Sequence, residues 1–321
     1  EELLNKAEYY GPHNTTIQHS RAELELARAK HSKGLERERL LNKADKLSQS
    51  IQNGTSHGLD TRCKIALQRL EDSISAGDPE VVIDAIKNVE EIISAALQSY
   101  PDDEVLLSEE SRFAELINDN SRSIKALEKA FAKNNANGHI ASRLSTYYLS
   151  VDRESDAFTT LNNALKINPT NKSVHAALAK IYSEKGDDYK DTAEYHWKHS
   201  FTDGDRNSIN QLFYSRQLYI NGKINEYNEQ VNKLKQLRLS PSTRHMLRGI
   251  IKTPNGGNAL YTGRIYRKEA TYALIDTLGF SNQHYLHYTN CPDDKWDELK
   301  INDEVNYNLG FTFSGTAAVM C

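Results

Sequence analysis

Between residues 89 and 241 the apolar positions recur in columns. Ala96, Ala130, Ala164, Ser200 and Leu234 stand 34, 34, 36 and 34 residues apart. Three residues before each stand Ile93, Leu127, Leu161, Trp197 and Val231, and four before those stand Val89, Ser123, Ala157, Ala193 and Tyr227. A turn position keeps the same step through Asn118, Asp152, Gly186 and Gly222, and Asp187-Asp188 supply the two extra residues. Apolar residues three and four apart within a fixed period of this length predict α-helical hairpins, one per repeat. Small residues let the two helices of a hairpin approach, while the large ones fill the space against the neighbouring hairpin, so no unit is stable alone. Pro101 lies two periods before Pro169 and closes a hairpin whose second helix is predicted from Pro79 to Ser99, with Asp78 as cap and Pro79 in the first turn. Farther upstream, Arg21 to His31 and Leu35 to Ile51 read as amphipathic helices separated by Gly34 and ended near Asn53-Gly54.

After Ile251 the pattern changes. Thr253-Pro254-Asn255-Gly256-Gly257-Asn258 is a cluster of breakers, and the residues beyond it are rich in short runs of β-type side chains. Strands are predicted at Leu260 to Arg267, Thr271 to Thr277, Gln283 to Thr289, Glu304 to Leu309 and Thr312 to Met320. Five short strands in so few residues suggest a small barrel. The expected organisation is N-terminal helices over 1–60, helical repeats over 61–252, a linker over 253–258 and a barrel over 259–321.

The helical columns resemble the tetratricopeptide (TPR) family. Residues 138–169 match best, with Leu144 and Tyr148 on the first helix, Ala157, Leu161 and Ala164 on the second, and Pro169 as the closing proline. Leu178, Tyr182, Ala193 and Trp197 repeat the pattern. Residues 259–321 are similar to a divergent cold-shock domain. Gly263-Arg264-Ile265 resembles that family's opening Gly-x-Val, Thr271 to Ile275 falls at its first nucleic-acid motif, Tyr285-Leu286-His287-Tyr288 at its second, and Gly315 to Val319 at its closing segment. Trp296, Leu299, Val305 and Tyr307 follow the spacing of its fourth-strand approach. Thr271 and Ala273 replace the first motif's glycines and Leu274 its second Phe. Together the resemblances imply an α+β multidomain chain: an α-helical TPR solenoid followed by a small five-stranded antiparallel OB/cold-shock-like β-barrel.

Composition narrows the function. A net charge of -4 over 321 residues exerts no global pull toward nucleic acid or anionic membrane, and residues 259–321 hold five Lys or Arg against eight Asp or Glu. No apolar run reaches the roughly 20 residues of a membrane helix, and the first residues lack a secretion signal. Cys63, Cys291 and Cys321 form no close pair, which fits a reducing, cytoplasmic setting without a disulfide framework. No GxxxxGK[ST], GxSxG or HExxH motif is present, so a non-enzyme without cofactor is expected. His196 with His199, and His284 with His287 near Cys291, raise zinc; but a spacing of three on a strand sends His284 and His287 to opposite faces, and no second ligand pair is found.

Candidate binding residues remain. Alternation puts Tyr272 with Leu274, and Tyr285 with His287, on one face of adjacent strands, where Tyr272, Tyr285 and His287 are candidates for stacking on single-stranded RNA or DNA. Arg264, Arg267 and Lys268 on the first strand are candidate phosphate contacts. The stretch from Val231 to Lys252 carries Lys233, Lys235, Arg238, Arg244, Arg248 and Lys252 without an acid, and Lys233, Lys235 and Arg238 are taken as a phosphate track beside the barrel. The opposite bias, at Asp102, Asp103, Glu104, Glu109, Glu110, Glu115 and Asp119, reads as a solvated surface. On the repeats, Arg143, Tyr147, Asn171 and His175 are expected to line a groove for a protein or peptide partner. The leading expectation is a protein-binding scaffold joined to a single-strand-binding barrel. Two alternatives stand: a structural scaffold with a non-binding barrel, or the sensor end of a larger NTPase or nuclease, which the initial Glu1 leaves open.

Overall fold

In the computed structural model, which describes residues 2–10, 14–49, 51, 56–205, 208–253, 255–280 and 283–320, the sequence repeat is a repeat of helix pairs. The stop at Asn53-Gly54, the linker's Pro254 and Cys321 lie outside the described residues. The chain forms two compact units, Glu1–Pro169 and Thr170–Cys321.

The first unit holds α1 (Glu2–Tyr10), α2 (Thr15–Lys30), α3 (Gly34–Gln49), α4 (His57–Ala76), α5 (Pro79–Ser99), α6 (Glu104–Leu116), α7 (Asn120–Lys133), α8 (Gly138–Ser150) and α9 (Glu154–Ile167). The second opens with α10 (Lys172–Glu184), α11 (Lys190–His199), α12 (Ser208–Ile220), α13 (Ile224–Lys235) and the short α14 (Pro241–His245). First helices start at 104, 138, 172 and 208, and the two inserted residues fall in a 3-10 turn, Asp187–Tyr189. All four turn-column residues have positive φ: Asn118 and Asp152 at 58°, Gly186 at 95°, Gly222 at 72°. Only Gly, Asn and Asp adopt that region at low cost, which is why the column admits no other type. The three packing columns are buried throughout, from Val89, Ile93 and Ala96 to Tyr227, Val231 and Leu234. Ser123 serves in place of Ala because its hydroxyl lies 2.8 Å from that of Ser111 on the facing helix. Asp78 caps α5 as expected, accepting from the amides of Glu80 and Val81.

The acidic stretch has structural employment. Asp103 caps α6 and Asp119 caps α7. Asp102 pairs with Lys133 at 2.8 Å, and Glu110 joins Glu90 around the Arg122 guanidinium, which lies over the Phe113 ring. Cys63 is buried, and burial pushes its thiol up to about 12, so it is a packing residue and not a nucleophile at neutral pH.

Five strands close a barrel in the order β1-β2-β3-β5-β4: β1 (Leu260–Lys268), β2 (Tyr272–Asp276), β3 (His284–His287), β4 (Glu304–Thr312) and β5 (Gly315–Met320). Thr312, expected to open the fifth strand, instead ends β4, because Phe313-Ser314 make the hairpin turn. Four pairings are antiparallel as anticipated and the β3–β5 seam is parallel. Ile265, Ala273, Ile275, Leu286, Val305, Tyr307 and Leu309 fill the interior, with Trp296 and Leu299 packed among them. Gly263 is required by close approach, since a Cβ there would lie 2.4 Å from Thr277 Oγ1 and 2.7 Å from the Asp276 carbonyl.

The barrel packs directly on α12 and α13. Phe311 and Phe313 are buried with Leu212, Leu218, Tyr227, Val231 and Leu234. Ahead of the breaker cluster the chain is already paired to the barrel, since Arg248 exchanges both backbone hydrogen bonds with Phe311 and Ile251 donates to Leu309. A polar chain crosses the same seam. The Tyr219 hydroxyl lies 3.2 Å from His284 Nε2, His284 Nδ1 2.6 Å from the Tyr307 hydroxyl, and that hydroxyl 2.6 Å from Thr277 Oγ1. His284 is wholly buried, and burial lowers its pKa from the ordinary 6.5 to about 4, so the imidazole is neutral at pH 7.

The packing is testable at two residues. The Trp197 ring stacks on Phe213 at 5.2 Å while its Nε1–H donates to Ser183 Oγ at 2.9 Å, so Trp197→Ala, which empties the space between two hairpins, should destabilise by about 3 to 5 kcal/mol. An unchanged thermal melt would show that the ring is not a packing element. For His284 the folded pKa lies below the unfolded one, so its contribution to stability is complete above pH 6.5 and is lost as pH falls toward 4, amounting to about 3 kcal/mol at most. Urea unfolding from pH 7.5 to 4.5 should therefore fall more steeply for the wild type than for His284→Gln; parallel curves would exclude this residue as the cause.

Candidate nucleic-acid interface

Strand pairing decides which candidate side chains meet. Tyr272 is paired with His287 and Leu274 with Tyr285, so all four project from the outer face of β2 and β3, where each is half-buried. Tyr272 and Tyr285 sit diagonally with ring centroids 5.4 Å apart and planes 22° from parallel, and His287 lies 6.3 Å from Tyr285. Partial burial raises the pKa of the Tyr285 phenol and lowers that of the His287 imidazole, leaving both neutral at pH 7. The arrangement is an aromatic layer able to accept flat partners by stacking.

The expected cations are largely committed to other contacts. Arg264 is exposed but stands opposite Asp276 on one side and Glu304 on the other. Arg267 shares the outward row with Leu274 and Tyr285 and is ion-paired to Glu269 at 2.7 Å. Lys268 lies elsewhere in function: its ammonium donates to the carbonyls of Trp296 and Leu299 at 2.6 and 2.9 Å and sits 5.2 Å above the Trp296 ring, fastening the segment that covers the barrel end. In the basic stretch, Lys233 pairs with Asp203, Arg244 donates to the carbonyls of Lys235 and Leu237, and Arg248 donates to those of Thr243 and Met246. Lys235 and Arg238 are exposed.

A feature missed by sequence reasoning adjoins the aromatic layer. A groove of about 580 Å³ runs between the β3 and β5 side of the barrel and α14. Tyr285, His287, Thr289 and Asn290 line one wall and His245, Met246 and Leu247 the other. The period contains a hint of α14: Ser242 stands 34 residues after Ser208, the first residue of α12, and Ser240 with Pro241 is a cap followed by a first-turn proline. Its contribution to a binding wall has no local sequence signal.

The four groove residues proposed on the repeats divide between the units. In the first, Arg143 lines a groove of about 440 Å³ with Glu71, Ser108, Glu109, Arg112 and His139, and its guanidinium donates to Ser108 and Ser111 hydroxyls. Burial raises the pKa of Glu109, whose Oε2 lies 3.8 Å from Arg112 Nη1. Tyr147, half-buried on α8, has its phenol pKa raised by burial. In the second unit, Asn171 caps α10 by accepting from the Val174 amide, and His175 is buried with its Nδ1 2.9 Å from that of His196. Burial first, then His175 and His199, lower His196 to about 4. Among the described residues the one group with metal-ligand proximity is His19, Glu23 and Asp60, outside all these sites, and its centre is occupied by the Thr61 hydroxyl and the Lys64 ammonium. No helix among the described residues is long and apolar enough to cross a membrane.

No family model matches the chain, and no curated protein matches it. Among solved structures, it is similar to Pseudomonas aeruginosa PilF at 13% identity, with a TM-score of 0.47 over 69% of this chain and 93% of that one. It is also similar to a thermophilic TPR protein of Thermus thermophilus at 17% identity, TM-score 0.39, covering 54% and 91%, and to a tetratricopeptide repeat protein of Parabacteroides merdae at 9% identity, TM-score 0.43, covering 67% and 79%. At these scores the likenesses carry nothing about activity; the architecture, TPR-like helical hairpins followed by a closed five-stranded barrel, stands on the chain's own repeat and strand pairing.

Proposed function

We propose that the barrel is a single-strand nucleic-acid-binding module carried on a protein-docking helical scaffold, and that the chain acts by recognition rather than catalysis. The observation that carries this reading is the outward aromatic layer of Tyr272, Tyr285 and His287 on adjacent strands, at the positions where the sequence resembles the cold-shock motifs. Bases of any identity offer a face to such rings, so binding needs no sequence match. Because Arg267 is ion-paired to Glu269 and the Lys268 ammonium is held by carbonyls, stacking supplies most of the affinity and phosphate contacts little. Lys235 and Arg238 are the cations of the track that remain for a phosphate chain. Docking of protein segments is assigned to the repeats, supported by the groove around Arg143 with its mixed charges and open volume. A peptide array read against the wild type and Arg143→Glu tests that assignment: one shared profile would remove it.

For the barrel, labelled single-stranded homopolymers titrated into the whole chain at several salt concentrations provide the test. Tyr272→Ala and Tyr285→Ala should each weaken binding about fivefold to a hundredfold, since stacking is worth about 1 to 3 kcal/mol per base. The dependence on salt should be shallow, and Lys235→Gln with Arg238→Gln should flatten it by no more than about two phosphate contacts. Absence of binding at low salt, or binding indifferent to both tyrosines, would overturn the proposal.

A further inference from the structure

The groove beside the aromatic layer has a composition that restricts what it can hold. Its lining contains no Lys, Arg, Asp or Glu; the ionisable heterocycles in it are His245 and His287. An anion such as a free phosphate would find no fixed positive charge there, and a cation no carboxylate. The volume of about 580 Å³ lies within the range of small-molecule pockets, about 300 to 1,000 Å³. One wall is ring-bearing, with Tyr285 and His287. The other offers the soft, polarizable thioether of Met246, an exposed side chain, beside Leu247. Hydroxyls and an amide rim the space: Ser242, Thr289, Asn290, Ser314 and Thr316.

Hydrogen bonding at His287 adds a direction. His287 Nδ1 lies 2.7 Å from the Thr289 hydroxyl and 3.4 Å from the Thr289 backbone amide, which can only donate; with Nδ1 accepting from that amide, the neutral ring carries its proton on Nε2. The imidazole thus brings one N–H donor to a site otherwise rich in hydroxyls. Such a cavity suits a flat, uncharged heterocycle with acceptors on its edge.

We infer that the groove between α14 and the β3–β5 face is a pocket for one nucleobase, held between the Tyr285–His287 wall and the Met246 wall and read at its edge by polar side chains. This rests on the reading of the barrel as a single-strand binder and deepens it: the open layer stacks bases without choice, while the walled groove selects one. The base arrives either within a strand or as a free nucleoside, and the chemistry is shared.

The test uses the whole chain with adenosine, guanosine, cytidine and uridine, with the four homopolymers, and with inorganic phosphate, each against the wild type and Met246→Glu. Met246 is mostly exposed, so the variant should melt like the wild type, and that melt is checked first. The expected result is preference for one base and about a tenfold or greater loss in Met246→Glu, in which a carboxylate enters the groove. Loss seen with both nucleoside and strand identifies a pocket open to either source; loss seen with the strand alone identifies a base delivered by the polymer. Homopolymers that bind through Tyr272 yet ignore Met246→Glu, with silent nucleosides, would overturn the pocket and leave the stacking layer standing. Nucleosides that bind while homopolymers do not would support the pocket and overturn the strand-binding reading. Protection of the groove by phosphate would make the ligand an anion and overturn the inference.

Discussion

A helical hairpin of this kind cannot leave its large-residue face open, and in the second unit that constraint is met by the barrel. The face of α12 and α13 presents Leu212, Leu218, Tyr227, Val231 and Leu234, and it is Phe311 and Phe313 that complete the cluster. Repeat arrays need a differently built end because each unit buries its face only against a neighbour. Here the period would start another first helix at residue 242. A helix does start, at Pro241, and stops after His245; the next residues turn extended and pair with β4. The barrel therefore occupies the place of the missing hairpin.

That substitution explains why the seam is both apolar and polar. Apolar burial alone would let the barrel slide or rotate over the helices, whereas the chain from Tyr219 through His284 and Tyr307 to Thr277 demands one register. His284 is held neutral by the same burial, so the register is secured by hydrogen bonds and not by an ion pair. The abbreviated α14 remains beside β3 and β5, and the groove lies between them.

Much of this was legible in the residues because the deciding quantity was local and periodic. Columns at 34-residue spacing, the positive-φ turn residues and the β-type runs each register a constraint on one position, and they fix helix starts and strand centres directly. The outward placement of Tyr272, Tyr285 and His287 needed only alternation and the pairing of β2 with β3. Where sequence reasoning went astray, the deciding quantity was a partner distant in sequence. Lys268 looks like a surface cation until Trp296 and Leu299 bring their carbonyls to it, and Arg244 and Arg248 look like solvated members of a basic stretch until the carbonyls around them take up their donors. Composition counts charges; it does not say which are already satisfied.

The consequence reaches the function. A run of like charge marks an electrostatic surface only if its members are free to face solvent; in this chain the acidic run is largely engaged in caps and ion pairs, and Lys233, Arg244 and Arg248 of the basic run in an ion pair and carbonyl contacts. What β2 and β3 present outward is an aromatic layer, on a segment with a small excess of acids. Long-range attraction of a polyanion to such a surface is weak, and specificity has to come from contact. Flat rings, a thioether and hydroxyls recognise at contact distance, so the layer and the groove belong to one recognition strategy, in which the face of a base supplies affinity and its edge supplies choice.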